Sequence, residues 1–232
     1  MWYAKPNGLY AYDSTEGTAN IWEIYNMLDA EGYSLEAICG VGGSVITESG
    51  LNPWRWQDDI YNTSAGYGLF QYTPASQYLS DCRNVTGYAP NLSVSQVTQG
   101  ANVSDAIAQM TAMINNLLGK WVSTVWRDYW QISSYPNEYL TVQDLIQVYG
   151  SNGRITQNQY KLIDNYSDAA IVFMCCFEGP PTPAFRVYER NAFDVYDILT
   201  GTPPQPPTPI YTRKKRRFPI WMMDGYKIRG RF

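Results

Sequence analysis

Three glycines inside an apolar helical stretch constrain this chain more than any other feature. Leu35, Ile38, Val41 and Val45 recur at helical spacing, behind a Ser34 that can cap the helix. Gly40, Gly42 and Gly43 interrupt that run, each costing roughly 1 kcal/mol of helix propensity against alanine. A helix that carries three such losses is expected to need them for very close packing of another backbone. The pattern runs to about Thr47, Glu48 falls at the helix end, and Gly50 is the expected C-cap with Pro53 beyond it. A single acid thus closes the helix that should be the most tightly packed.

The rest of the chain builds around it. Residues 1–17 are rich in Gly, Tyr and polar side chains and read as a loop. Ile21, Ile24, Tyr25 and Leu28 predict a first helix stopped by Gly32. From Asn52 to Thr73, glycines and alternating aromatics predict a long loop and a short β-hairpin. Ser80 to Asn102 reads as polar loop. Ser104 is expected to cap a helix with the stripe Ile107, Met110, Ile114, Leu117 and Leu118, ended by Gly119, and Trp121–Trp130 as a further helical piece. Thr141 with Asp144 resembles a capping box before Leu145, Ile146 and Val148, and Thr156 and Ser167 precede further helical patterns. Thr182-Pro183 is an N-cap and N1 pair for a last helix with Phe185, Tyr188, Ala192, Val195, Tyr196 and Leu199 on one face, stopped by Gly201. The expected fold is α+β and mostly α: a helical domain over 18–200 with a small β-hairpin beside Glu48. A Pro-rich linker over 201–212 and a basic-aromatic arm over 213–232 follow.

Composition narrows the chemistry. The chain has no histidine, which argues against zinc amidases and peptidases, whose ligands are usually imidazoles, and against Cys–His and Ser–His enzymes. Carboxylate chemistry remains, and no cofactor or metal is expected. The 20 Tyr and 8 Trp of the 232 residues suit both core packing and contact with the C–H faces of sugar rings. Cys39, Cys175 and Cys176 lie in apolar runs and read as buried small hydrophobes, while Cys82 could pair with one of them. Neither a signal-peptide core nor a membrane-length apolar run is present; the longest, Ala169–Phe177, is short of the roughly 20 residues a spanning helix needs. The chain reads as a soluble protein made in a cytoplasm and carried elsewhere by assembly or lysis.

Charge divides sharply. Residues 213–232 hold eight Lys/Arg and one Asp, against nine Lys/Arg and 20 Asp/Glu in the remainder. Trp221, Met222 and Met223 give the arm apolar anchors, so it reads as a docking segment that orders on a partner. The acidic body would repel nucleic acid, and no groove-reading motif accompanies the arm.

By position alone Glu48 reads as an ordinary acid near a helix end, although two effects there would favour its protonated form. Cleaving a glycosidic bond requires an acid that keeps its proton near neutral pH. A helix C-terminus disfavours a carboxylate, and so does partial burial. The sequence Glu48-Ser-Gly-Leu-Asn-Pro53, followed by Gly66-Tyr-Gly-Leu-Phe-Gln-Tyr-Thr-Pro74, resembles the active-site region of lysozyme-like muramidases. These include goose-type lysozymes and lytic transglycosylases, and the longer match is most similar to the phage tail lysozyme family. Phe177-Glu-Gly-Pro-Pro181 and Ala184–Ala192 resemble that family's C-terminal Trp-Glu-Arg-Pro region and closing helix. The resemblance covers about residues 18–200.

It implies a peptidoglycan-cleaving muramidase with Glu48 as general acid, acting on the MurNAc–GlcNAc bond. Asp58 and Asp59 are the candidate bases that would activate water, or else turn residues or partners of Arg55. Tyr67, Phe70, Gln71 and Tyr72 are candidates to line the hairpin beside the sugar, with Trp54 and Trp56 as stacking candidates. Glu178 reads as structural, holding a backbone amide or an arginine. Two departures stand out: Thr73 where goose-type enzymes often carry an Asp, and Gly179 in place of the motif's Arg. Without a second acid in reach, a transglycosylase route opens. The resemblance with the arm implies a virion-attached enzyme that opens the wall during genome entry. The alternatives are an endolysin held in the host cytoplasm until lysis, or a non-catalytic structural tail protein on the same fold.

Overall fold

The structure is a computed structural model and describes residues 1–6, 8–82, 99–122, 142–180 and 184–201. Its centre is a three-helix layer. α1 (Thr15–Asp29) starts at a Ser14 cap whose hydroxyl accepts the Gly17 N–H. α2 (Leu35–Ser49) starts at Ser34, which accepts the Ala37 N–H, and ends at Gly50 in the left-handed conformation. After a single helical turn α3 (Ala75–Gln77) come α4 (Gln99–Ile114), α5 (Val142–Tyr149), α6 (Gln157–Tyr160), α7 (Tyr166–Phe173) and α8 (Phe185–Thr200). α2 packs on both α7 and α8, and those two pack on each other.

The α2 glycines act as expected. A Cβ on Gly40 would come within 2.8 Å of the Ala170 nitrogen, and one on Gly43 within 2.5 Å of the Ala192 nitrogen, so neighbouring backbones occupy the space. Gly42 differs: the atoms nearest its Cβ would be those of the Val195 side chain, at 3.0 Å, and not backbone. Ile38, Cys39, Val41 and Val45 are buried between the helices. Cys39, Cys175 and Cys176 are buried free thiols; the Cys82 side chain lies outside the described residues.

Several boundaries differ from the sequence expectation. α1 begins at Thr15, so the loop before it is shorter than residues 1–17. That segment also packs tightly: Trp2 is buried, Asn20 holds both the N–H and the carbonyl of Tyr3, and Asn52 donates to the carbonyls of Lys5 and Gly8. α4 begins at Gln99, which places Ser104 inside the helix and not at its cap. It ends at Ile114, and Leu117 is exposed. The cap of α7 is Asn165, accepting from Ser167 and Asp168, so Ser167 also lies inside a helix. Thr156 does cap α6, in a capping box with Gln159. α8 starts after Ala184, without a side-chain cap, and stops at Gly201. The expected Thr182-Pro183 cap, Thr141, residues 123–130, the linker after Gly201 and the basic arm lie outside the described residues.

The β element is smaller than a hairpin of strands. Tyr67 and Tyr72 exchange backbone hydrogen bonds at 3.3 and 2.9 Å, and Trp56 bridges antiparallel to Tyr67. No longer ladder forms among the described residues. Tyr67, Leu69, Phe70 and Tyr72 are all buried, so the two faces do not split into sugar side and core side. Among the described residues, no helix is long and apolar enough to cross a membrane.

Candidate functional site

Glu48 occupies the last turn of α2, in the wall of a cleft of about 350 Å³. The left-handed Gly50 and Leu51 turn the chain sharply behind it. The N-terminal segment braces that turn: Tyr10 N–H donates to the Gly50 carbonyl and Asn20 to that of Leu51. The acid's other side is set by α8. Tyr188, buried on the helix that crosses Gly42 and Gly43, donates its hydroxyl to Glu48 Oε1 at 2.5 Å. Close packing of α8 on the α2 glycines thus decides how near a phenol can come to the carboxyl.

Burial raises the Glu48 proton affinity above that of an ordinary glutamate; the Tyr188 hydroxyl and the Arg55 charge oppose it without cancelling it. Arg55 donates to the Glu48 main-chain carbonyl at 3.3 Å, so its guanidinium satisfies the end of α2 beside the acid. Sequence reading offered Arg55 as a partner of Asp58 or Asp59. Among the described residues it makes an ion pair with neither.

The two aspartates separate. Both have left-handed backbone, at φ 56° and 57°, and their side chains diverge. Asp58 lines the cleft with Glu48. Asp59 Oδ1 accepts the Gly8 N–H at 2.9 Å, on the N-terminal segment.

Of the expected sugar-contacting residues, Phe70, Gln71 and Tyr72 line the cleft. Gln71 has left-handed backbone at φ 43°, and its Nε2 donates to the carbonyls of Arg55 and Gly68. Those bonds hold its amide across the mouth of the turn. Tyr67 lies beneath, its hydroxyl bonded to the Asp105 carboxylate. Trp56 is buried with its ring centroid 4.4 Å from that of Tyr67, and Trp54 packs half-buried on the core. Tyr67, Trp54 and Trp56 therefore support the cleft from behind and do not line it.

Two groups of residues escaped the sequence reading. One is the polar face of α4. Gln109 accepts the Leu69 N–H at 2.6 Å and donates to the Pro53 carbonyl at 2.8 Å, while its main-chain carbonyl accepts from the Tyr72 hydroxyl at 3.0 Å. Asp105 accepts from Tyr67, Tyr78 and Gln109. These two polar residues are buried and carry the turn that bears Gln71. An apolar-stripe search overlooks them because it scores them as solvent-facing. The other is Lys120, which shares the cleft with Glu48, together with the cleft position of Phe177, Glu178 and Pro180, a run that carried the family resemblance but was given no place beside the acid. Glu178 accepts the Ser44 hydroxyl at 2.8 Å, in place of the backbone amide or arginine anticipated.

The arrangement places two desolvated acids, Glu48 and Glu178, with Asp58 and the Gln71 amide around one cleft of about 350 Å³. Over 82 residues the chain is 48% identical to Morphogenesis protein 1 of Bacillus phage B103, a match covering 34% of this chain and 21% of that protein. The chain thus matches about a fifth of the length of that curated relative. A family model described as phage tail lysozyme matches residues 19–199, which include the α2 helix, the Gln71 turn and α8; the chain belongs to the phage tail lysozyme family.

Proposed function

We propose that this protein is a peptidoglycan muramidase that cleaves the β-1,4 bond between N-acetylmuramic acid and N-acetylglucosamine, with Glu48 as general acid. The observation that carries this reading is the Glu48 carboxyl itself. It is raised by burial, positioned by Tyr188 and open to a cleft lined by Gln71. A carboxyl in that state can deliver a proton to the leaving oxygen near neutral pH. Asp58 is the base candidate for activating water, since it faces the same cleft. Asp59 is drawn to the N-terminal segment and is left a supporting role. Phe70 and Tyr72 offer an aromatic floor, and Gln71 an amide suited to an acetamido group or a hydroxyl.

The family and the phage relative support a virion-associated enzyme that opens the host wall during genome entry. The basic arm 213–232 is then its docking segment to a tail protein. Truncation before Arg213 should leave wall lysis in solution intact and abolish incorporation into particles.

Mass spectrometry of soluble fragments from purified sacculi, released by wild type and Glu48→Gln, tests the activity. Reducing muramic ends that vanish in the variant are expected. Anhydro-muramic ends would point instead to lytic transglycosylation and remove Asp58 from the mechanism. A folded wild type that releases nothing from Gram-positive or Gram-negative sacculi would leave a structural tail component.

A further inference from the structure

A third carboxyl, that of Glu178, enters the cleft beside Glu48 and Asp58, and the reading above leaves it unused. Ser44 and Glu48 are four residues apart on α2 and so lie one above the other on one face. The Ser44 hydroxyl donates to Glu178 Oε1 at 2.8 Å, which seats the Glu178 carboxyl in the cleft that Glu48 also lines. The seat is built by backbone. After α7 the chain winds into a π turn, Met174–Glu178, closed by a left-handed Gly179 whose N–H donates to the Met174 carbonyl at 2.7 Å. Such single π turns re-aim a side chain and often mark functional sites. Among the described residues, Ser44 is the hydrogen-bond partner of Glu178, through one oxygen only. No lysine or arginine among them forms an ion pair with it, and Lys120, in the same cleft, donates to the Thr73 carbonyl.

We propose that Glu178 is a ligand-contacting residue of this cleft: Ser44 holds one carboxyl oxygen, and the other presents an O–H donor to an acceptor oxygen of the bound sugar. This rests on the reading of the cleft as a glycan site.

Charge and burial explain why the proton stays. The groups around Glu178 are Ser44 and Glu48 from α2, Tyr188 from α8 through its bond to Glu48, Arg55 and Asp58 from the loop, and Lys120 from the segment after α4. Burial first, and then the Glu48 charge, push the Glu178 carboxyl well above the ordinary range; the Ser44 hydroxyl and Lys120 oppose this. Two carboxylates in one desolvated cleft disfavour each other, so the pair titrates in steps. Burial and the neighbouring Glu48 carboxyl both favour a proton on Glu178. A neutral carboxylic acid can donate, whereas a carboxylate only accepts. Once Glu178 ionises, the donor is lost and sugar affinity falls, independently of proton transfer by Glu48.

Calorimetric titration of N-acetylglucosamine hexamer into the full chain carrying Glu48→Gln, which cannot deliver the proton, tests this between about pH 5 and 9. Affinity should fall towards the alkaline end. Adding Glu178→Gln, whose amide N–H also donates, should leave the affinity at low pH within about twofold and abolish the alkaline fall. Adding Glu178→Met should weaken binding about tenfold at low pH. Should the methionine variant not fold, the pH dependence of the glutamine variant decides alone. Equal affinity and equal pH dependence with and without Glu178 would overturn the proposal while leaving the glycan site intact. A hexamer that binds none of these proteins, with a wild type that releases no sacculus fragments, would overturn the glycan reading itself.

Discussion

The two walls of the cleft are held by opposite means. The helical wall, α2 against α7 and α8, is apolar and so close that Gly40 and Gly43 touch neighbouring backbone. The turn wall, residues 54–74, is held by buried hydrogen bonds to Asp105 and Gln109 of α4. Packing fixes position by excluded volume, so its errors appear as clashes. A buried polar network fixes position by direction, so removing one member leaves others unsatisfied. The acid sits on the first wall and the Gln71 amide on the second. Changes to the first should cost stability, and changes to the second should cost local order and substrate affinity.

The largest effect should come from Gly43→Ala. Its Cβ would lie 2.5 Å from the Ala192 nitrogen, and α8 must move. A loss of about 3 kcal/mol or more in urea unfolding is expected, together with loss of activity because Tyr188 moves with α8.

A pH effect of similar size belongs to Asp168, buried in the first turn of α7. Burial raises its carboxyl to about 6, the Tyr149 hydroxyl pulls it down, and the Glu189 and Asp164 charges raise it further. A folded value above the unfolded one means that folding favours the protonated acid. That stabilisation is complete below the unfolded value near 4 and is lost as pH rises through about 6. The swing is about 3 kcal/mol. Asp168→Asn should therefore gain stability over wild type above about pH 6 and show little difference below about pH 4. Equal pH dependence in urea titrations of the two proteins would count against this account.

Gln109→Leu sharpens the contrast between the walls. It should cost about 2 kcal/mol and strip hydrogen-exchange protection from the Leu69 amide, while amides of α7 stay protected. Uniform loss of protection would show that the two walls do not unfold separately. The smallest effect should be Gly42→Ala, about 1 kcal/mol, because the atoms nearest its new methyl are those of the Val195 side chain, at 3.0 Å, and not backbone.

The same division explains what the sequence disclosed. Ser34, Gly50 and the α2 glycines were legible because caps and close backbone approach leave local marks. The α8 stripe was legible because one face is apolar. The support of the Gln71 turn was not, since Asp105 and Gln109 are polar residues turned inward, and only the fold brings them beneath Tyr67 and Leu69. Ser104 and Ser167 misled for a related reason: a serine suits a cap, but nothing local forbids it inside the first turns. Asp58 and Asp59 are neighbours in sequence, yet left-handed backbone sends one to the cleft and the other to Gly8. Trp54 and Trp56 had the composition of sugar platforms, and core packing claimed both. The Glu178 position depends on a π turn that no periodicity marks.

In the proposed reaction a buried Glu48, held by Tyr188, donates the proton. The most direct test is the pH dependence of kcat/KM on purified sacculi, for wild type and Tyr188→Phe, with Glu48→Gln as the blank. Burial raises the Glu48 carboxyl and the Tyr188 bond lowers it. Activity should therefore persist above the ordinary carboxylate range and fall as pH rises through the Glu48 value. In Tyr188→Phe that fall should move to higher pH, since a bond favouring the anion is gone. A limb in the ordinary glutamate range, or one that moves to lower pH in Tyr188→Phe, would contradict the account.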